Sequence, residues 1–429
     1  MEKLNEDFII NLSNNKGEPL WMKNFRLNSY KKFLELDNPS FGPKINIDFD
    51  NLVYHKGLFA PPSCSWENVD KKVKNTFNDL GVIEAENKYL KGVSNQYESE
   101  VVYHKMEESD GIIFLSTDEA LKKYPELFEK YFNNLVKYDE NKYTALNGAL
   151  WSGGSFIYIP PYTKVDRPLQ SYFRIDTKNL GQFERTIIIV DHDSSLHYIE
   201  GCTAKNYSTT SLHAGVVEIY VGKNSTCKYS TIQNWSKDVY NLVTKRAILE
   251  EGAYMQWVDG NIGSGVTMKY PSCILKGDNS KASSISIAYA KEGQHLDAGA
   301  KMIHLGKNTK STIISKSIAG FGGTSDYRGT VKIAKEATGS FATIKCDNII
   351  LDNISSSNTY PKNIVENNES TLEHEATISK INEEKLNYLM SLGISEDAAK
   401  DLYVLGFMSD FKKSLPMEYA VELNRLIKE

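Results

Sequence analysis

The sequence predicts a mainly β protein, a β-helix flanked by helical N-terminal and C-terminal regions. Three observations predict it. From about residue 150 to 365, short runs of alternating apolar and polar residues follow one another, and no helix-length amphipathic segment interrupts them. Val, Ile, Thr and Tyr dominate these runs, and Gly, Asn, Asp and Ser punctuate them. Three of them look alike: SSLHYIEG from Ser194, NSTCKYST from Asn224 and EGAYMQWV from Glu251, at spacings of about 30 and 27 residues. A small-residue turn followed by a strand, repeating every 20 to 50 residues or so, is the signature of a solenoid. A β-sandwich also gives many short strands. Here the strands are too numerous for one sandwich, and the turns are short and polar.

The elements follow in order. Residues 1–140 form a mixed helical region. SYKKFLEL reads as a short amphipathic helix. SWENVDKKVKNTFNDLG carries Ser65 as a cap, early acids, helically spaced apolar residues and a terminating Gly81. TDEALKKYPELFEKYF repeats the theme, with Thr117 as its cap. Residues 141–370 form the β core. Residues 371–429 give a final strand and a small helical domain. In the strand TLEHEATISK, alternation puts Leu372, His374, Ala376 and Ile378 on one face, and Glu373, Glu375, Thr377 and Ser379 on the other. INEEKLNYLMSLG ends at Gly393, and the next helix starts at Ser395 with Glu396 and Asp397 in its first turn. A last helix begins at Pro416. Leu402, Tyr403, Phe407, Met408 and Phe411 are expected to pack as a cap on the solenoid end, with a partner-docking surface as the sharper alternative.

Composition excludes several classes. Of 429 residues 41% are hydrophobic and 24% charged, which is ordinary globular usage. The net charge of −5 comes without any strongly basic stretch, which argues against nucleic-acid binding. The longest aliphatic run, TIIIV, falls far short of the ~20 residues that span a bilayer. The first residues lack the apolar core of a secretory signal, so a cytoplasmic protein without membrane attachment, or the mature form of an imported one, is expected. The cysteines are Cys64, Cys202, Cys227, Cys273 and Cys346. Their odd number, wide spread and lack of any C-x-x-C argue against a disulfide framework or a structural zinc site. No Walker loop, H-E-x-x-H pair or G-x-S-x-G elbow occurs. The sequence therefore announces no ordinary enzyme.

A long series of segments carries a family resemblance. NGALWSGGSFIYIPPYTKVDRPLQSYFRIDTKNLGQFERTIIIVD is the longest of them. YLKGVSNQYESEVVYHKM, HYIEGCTA, YSTIQNWS, NLVTKRA, GQHLDAGAKMIHL, YRGTV, IKCDNIILD, LEHEATISKI and LPMEYAVELNRLI follow the same order. From about residue 19 to the C-terminus the chain closely resembles the SufB/SufD family of the SUF iron–sulfur cluster assembly system, and its cysteines with LEHEA point to the SufB side. The resemblance implies a right-handed parallel β-helix between helical ends, acting as a scaffold rather than a turnover enzyme. Implied partners are the SufC ATPase on the C-terminal helices, and SufD or a second SufB through the β-helix. A cysteine desulfurase with its sulfur-transfer protein would deliver sulfur, and apo iron–sulfur proteins would receive the product. An iron–sulfur cluster, [2Fe–2S] or [4Fe–4S], is implied as cargo. Reduced flavin accompanies some complexes of this kind, but no flavin motif is visible.

Residue by residue, Cys202 matches the persulfide acceptor, and Arg174, Gln233, Trp235 and Lys245 match an internal sulfur path. Nearby cations suit thiolate and persulfide anions. Asp176 stands where the family often has Asn, and an added carboxylate would raise a neighbouring thiol's pKa. Cys346 matches the cysteine at the nascent cluster, with Glu375 and with Glu373 or His374 completing the iron shell. One soft thiolate with harder oxygen or imidazole donors would hold iron yet release product. Two rivals remain open: a SufD-like structural partner with no cluster site, and a carbohydrate-active β-helix protein.

Overall fold

The computed structural model describes residues 3–79, 82–107, 111–205, 210–409 and 411. Its core is a parallel β-solenoid of about eight turns between N- and C-terminal helices. Each turn feeds two sheets. One sheet stacks the strands Leu169–Ile175, Ser195–Ala204, Thr226–Asn234, Tyr254–Ile262, Lys281–Ala290, Lys310–Ala319, Phe341–Ile350 and Thr371–Lys380. The other runs from Ser155–Ile159 through Arg185–Val190 and Val216–Val221 to Ser356–Val365. All pairings between these rungs are parallel, which rules out the sandwich. Antiparallel pairing occurs near the start, where Gly92–Tyr97 meets Glu100–Met106 and Ile113–Ser116 meets Ser155–Ile159.

The repeat is looser than the three similar runs suggest. Ser195, Thr226, Tyr254, Lys281, Lys310, Phe341 and Thr371 are consecutive register partners, so the rungs step by 31, 28, 27, 29, 31 and 30 residues. The turn entering each of the first six of these rungs is nonetheless alike, with one left-handed residue two positions before the register partner: Asp193, Asn224, Gly252, Asn279, Asn308 and Gly339. Short polar side chains tolerate that conformation best. Rung spacing leaves no room at Gly299, where an added Cβ would lie 1.8 Å from the carbonyl oxygen of Arg328 on the next rung. Gly299→Ala is expected to cost about 1–3 kcal/mol, read as a lower urea midpoint.

The N-terminal helices Glu6–Lys16, Leu20–Glu35 and Lys142–Leu150 pack together against the second sheet. Lys142–Leu150 opens with a capping box, in which Asn141 accepts from Tyr143 and Thr144 N–H while Thr144 Oγ1 accepts from Asn141 N–H. Two caps differ from the sequence reading. Asp70, not Ser65, takes the free N–H groups of Lys72 and Val73, because a carboxylate five residues later meets the first turn directly. The helix Thr117–Lys123 is capped by Ser116, and Pro125 starts a separate helix, Pro125–Tyr131. Gly81 lies outside the described residues.

The C-terminal helices Glu383–Ser391 and Glu396–Phe407 begin at Asn382 and at Ser395. Val404, Met408 and Phe411 join Ile199, Ile232, Val258, Ile287, Ile318 and Ile349 in one apolar cluster. Those isoleucines and Val258 sit on the outer face of the first sheet. The sequence reading expected a cap on the solenoid end; the helices lie instead along its flank. Lys316 Nζ donates to Phe407 O at 2.8 Å and ties helix to flank. The last rung is left open among the described residues: Ser356–Val365 and Thr371–Lys380 each have one strand neighbour, and most of their side chains are exposed. The helix expected at Pro416 lies outside the described residues.

Candidate functional site

Alternation sets which side chains enter the solenoid. On Ser195–Ala204 these are Leu196, Tyr198, Glu200 and Cys202. Register then carries the pattern from rung to rung. Cys202 stands beside Phe173 on one side and Gln233 on the other. Trp235 joins the same apolar cluster as Cys202. Lys245 enters from the opposite sheet, and its Nζ donates to Glu200 Oε1 at 2.9 Å. Four of the residues singled out in the sequence, Cys202, Gln233, Trp235 and Lys245, are thus brought together and buried.

Arg174 is placed differently. Its register partner is Thr203, so it lies on the outer face of its strand. Its guanidinium donates to Asp176 at 2.8 Å and to Thr203 Oγ1 at 3.0 Å. Asp176 therefore neutralises Arg174. The Cys202 thiol is pushed well above its ordinary pKa first by burial, then by Glu200 and Glu184, with Lys245 and Lys269 opposing. At neutral pH it is a protonated thiol, because burial outweighs both cations.

Cys346 also points inward and is 1% exposed. Burial lifts its thiol to about 12, against the opposing effect of the neighbouring Tyr327 hydroxyl. Its register partner on the last rung is Ala376, while Glu375 pairs with Lys345 on the outer face. Lys345 Nζ lies 3.8 Å from Glu375 Oε2. Glu373 is exposed on that same outer face. His374 pairs with Ile344 and shares the inward face with Cys346. Asn363 Nδ2 donates to His374 Nδ1 at 3.1 Å, and His374 Nε2 is buried without a partner among the described residues. Cys346 and His374 thus offer a soft and a borderline donor on one face, with the two carboxylates across the strand. Among the described residues of one chain, no three His, Cys, Asp or Glu side chains gather as a metal site.

Sequence reasoning missed what lies between the two thiols. Along one inward column stand Glu200, Thr231, Asp259, Ser286, Ser315 and Cys346, one per rung. Every member is buried. Thr231 Oγ1 donates to Glu200 at 3.3 Å, Lys269 Nζ donates to Asp259 at 2.8 Å, and Ser286 Oγ donates to Ser315 Oγ at 3.2 Å. Cys202 starts the adjacent column, with Gln233 and Asn261 after it. Five strand steps separate the thiols, about 24 Å at the usual strand spacing. A polar line this long inside a solenoid is costly unless it is used or satisfied. Each member is a small or charged residue at an inward position of its strand. That signal becomes visible only once the register is known.

Comparison with known proteins follows from this fold. Residues 173–407 match the SUF system FeS cluster assembly SufBD core domain, and residues 68–171 match the SufBD protein N-terminal region. The chain belongs to the SufB/SufD family. Over 99% of its length it is 53% identical to the iron–sulfur cluster assembly protein SufB of Bacillus subtilis, covering 92% of that protein. It is 54% identical, with the same coverage, to iron–sulfur cluster assembly SufBD family proteins of Staphylococcus saprophyticus and Staphylococcus aureus. Membership of the SufB/SufD family removes the carbohydrate-active rival. No helix among the described residues is long and apolar enough to cross a membrane.

Proposed function

We propose that the chain is a cytoplasmic scaffold for iron–sulfur cluster assembly, holding its cargo only until transfer. Cys202 takes up sulfane sulfur as a persulfide. The sulfur passes along the interior to Cys346, where iron is held by Cys346 with His374 on the same face and Glu375 or Glu373 at the strand's outer side. The cargo is a [2Fe–2S] or [4Fe–4S] cluster. The observation that carries this reading is the buried polar column, which runs from the Glu200–Lys245 pair beside Cys202 to Cys346 itself. An architecture built only for support would fill that column with the aliphatic side chains found one step away, at Ile313 and Ile344.

The proposed partners follow the same reading. A SufC-type ATPase docks on the C-terminal helices, which lie on the flank over the column's middle rungs. SufD or a second copy covers the open last rung, where Glu373 and Glu375 are exposed. A desulfurase with its sulfur-transfer protein loads Cys202, and apo iron–sulfur proteins collect the cluster. Arg174 acts at the outer face and not in the interior. The test is a chase of labelled sulfur. The full chain is loaded anaerobically from a small alkyl persulfide, and mass spectrometry of its peptides follows the label with time. Label is expected first on Cys202 and later on Cys346, and Cys202→Ala is expected to abolish both signals. Label reaching Cys346 at an unchanged rate in Cys202→Ala would overturn the route.

A further inference from the structure

The interior around Cys202 contains a hydrogen-bond chain whose direction can be read from one end to the other. Lys269 is buried and bonded to the Asp259 carboxylate at 2.8 Å, so its ammonium only donates. The side-chain atom it meets on Gln233, at 3.0 Å, is therefore the carbonyl oxygen Oε1. That same oxygen receives Asn241 Nδ2 at 2.6 Å, which turns the Asn241 oxygen toward His213. His213 Nδ1 then carries a hydrogen and donates to Asn241 Oδ1 at 2.8 Å, leaving Nε2 to share a proton with Glu184 Oε1 at 2.7 Å. Gly215 makes room for that carboxylate, since an added Cβ there would lie 1.9 Å from Oε1.

The chain leaves Glu184 Oε2 without a partner among the described residues, and it also leaves a donor free. With Gln233 Oε1 doubly engaged, its Nε2 is buried without an acceptor among the described residues, in the layer that holds Cys202. Trp235 Nε1, held against the His213 ring at 4.6 Å between centroids, is also buried without one. Orphaned donors of this kind are expensive, and each calls for an explanation. A resting thiol is a weak acceptor and short. A persulfide reaches about 2 Å further, by one S–S bond, and ends in an anion.

We propose that Lys269 is a positioning residue, acting through the chain Lys269–Gln233–Asn241–His213–Glu184 to hold the Gln233 amide with its N–H₂ end toward Cys202, where it and the Trp235 N–H receive the terminal sulfur of a persulfide. This rests on the reading of Cys202 as the sulfur acceptor. Lys269 touches no sulfur itself. Its work is to forbid the reversed amide, which would present a carbonyl oxygen to an anion.

The experiment uses the full chain and a small alkyl persulfide as probe. Lys269→Met is paired with Lys269→Met/Asp259→Asn, which leaves no buried carboxylate without its cation. Sulfur loading of Cys202 is followed by mass spectrometry, and nitrogen-15 spectra of His213 report which ring nitrogen carries hydrogen. Wild type is expected to show hydrogen on Nδ1 and rapid loading. Both variants are expected to load about tenfold more slowly, the loss of one hydrogen bond to an anion, and to lose the uniform Nδ1–H signature. Unchanged loading together with an unchanged His213 signature, in whichever of the two variants folds, overturns the proposal. Wild-type chain that takes up no sulfur at Cys202 overturns the acceptor reading itself, and this one with it.

Discussion

Anaerobic reconstitution of Cys346→Ala with ferrous iron and inorganic sulfide is expected to give no visible cluster absorption, a loss of more than about tenfold against wild type. Iron in a cluster needs thiolate sulfur, and Cys346 is the one thiol beside the open rung that carries His374, Glu373 and Glu375. The remaining buried cysteines cannot substitute. Cys227 on Thr226–Asn234 and Cys273 on Ser272–Leu275 lie on earlier rungs away from that open end, and Trp257 Nε1 donates to Cys273 Sγ at 3.2 Å. Cys202→Ala separates supply from assembly. With free sulfide it is expected to keep the band, because the sulfur need not pass through residue 202. With persulfide as the only sulfur source it is expected to lose it. A band of wild-type size in Cys346→Ala would favour the SufD-like structural role.

The second large effect concerns Lys245. Its partner Glu200 is fully buried, and burial alone would raise the carboxyl, yet Lys245 and a hydrogen bond from Tyr229 hold it near 2. A carboxylate whose pKa is depressed on folding stabilises the native state above its unfolded value, about 4.3, and that stabilisation disappears as pH falls toward 2. Lys245→Met removes the cation and leaves burial to dominate. The folded carboxyl then rises above its unfolded value, and the sign reverses: stability is retained at low pH and lost as pH climbs past about 4.3. Urea midpoints taken from pH 4 to 8 are expected to fall with pH in the variant, with a penalty of about 3–5 kcal/mol near neutrality. Adding Glu200→Gln, whose amide oxygen still accepts from Tyr229, is expected to recover most of that penalty. On the proposed route, sulfur transfer from Cys202 is expected to stay impaired in the double variant, since the cation that would face a persulfide there is still missing. Full recovery of transfer along with stability would reduce Lys245 to a structural role.

Much of this architecture was legible beforehand, because alternation and turn composition are local signals. The β-helix follows from period-two patterning, and the flanking helices follow from caps and helically spaced apolar residues. Register was not legible. Aligning SSLHYIEG with NSTCKYST pairs Ser194 with Asn224, whereas Ser195 pairs with Thr226. The error is one residue, because the left-handed Asn224 is the counterpart of Asp193 and not of Ser194, and one residue inverts every facing. Hence the shared facing of Asp259, Ser286 and Ser315 is not readable from their alternating runs. Arg174, placed on an internal path by the resemblance alone, lies on the outer face of its strand. Lys269 carried no signal at all: its meaning depends on Asp259 and Gln233, which reach it from the opposite sheet.

The uncovered final turn bears on how such a molecule can change over generations. Each rung touches only the ones before and after it, so its energy is close to a sum of nearest-neighbour contributions along one dimension. Nothing in that arithmetic sets a total length. A turn gained or lost where the stack stops would disturb a single junction, and the thiol's distance from the tip could drift without the rest of the protein being redesigned.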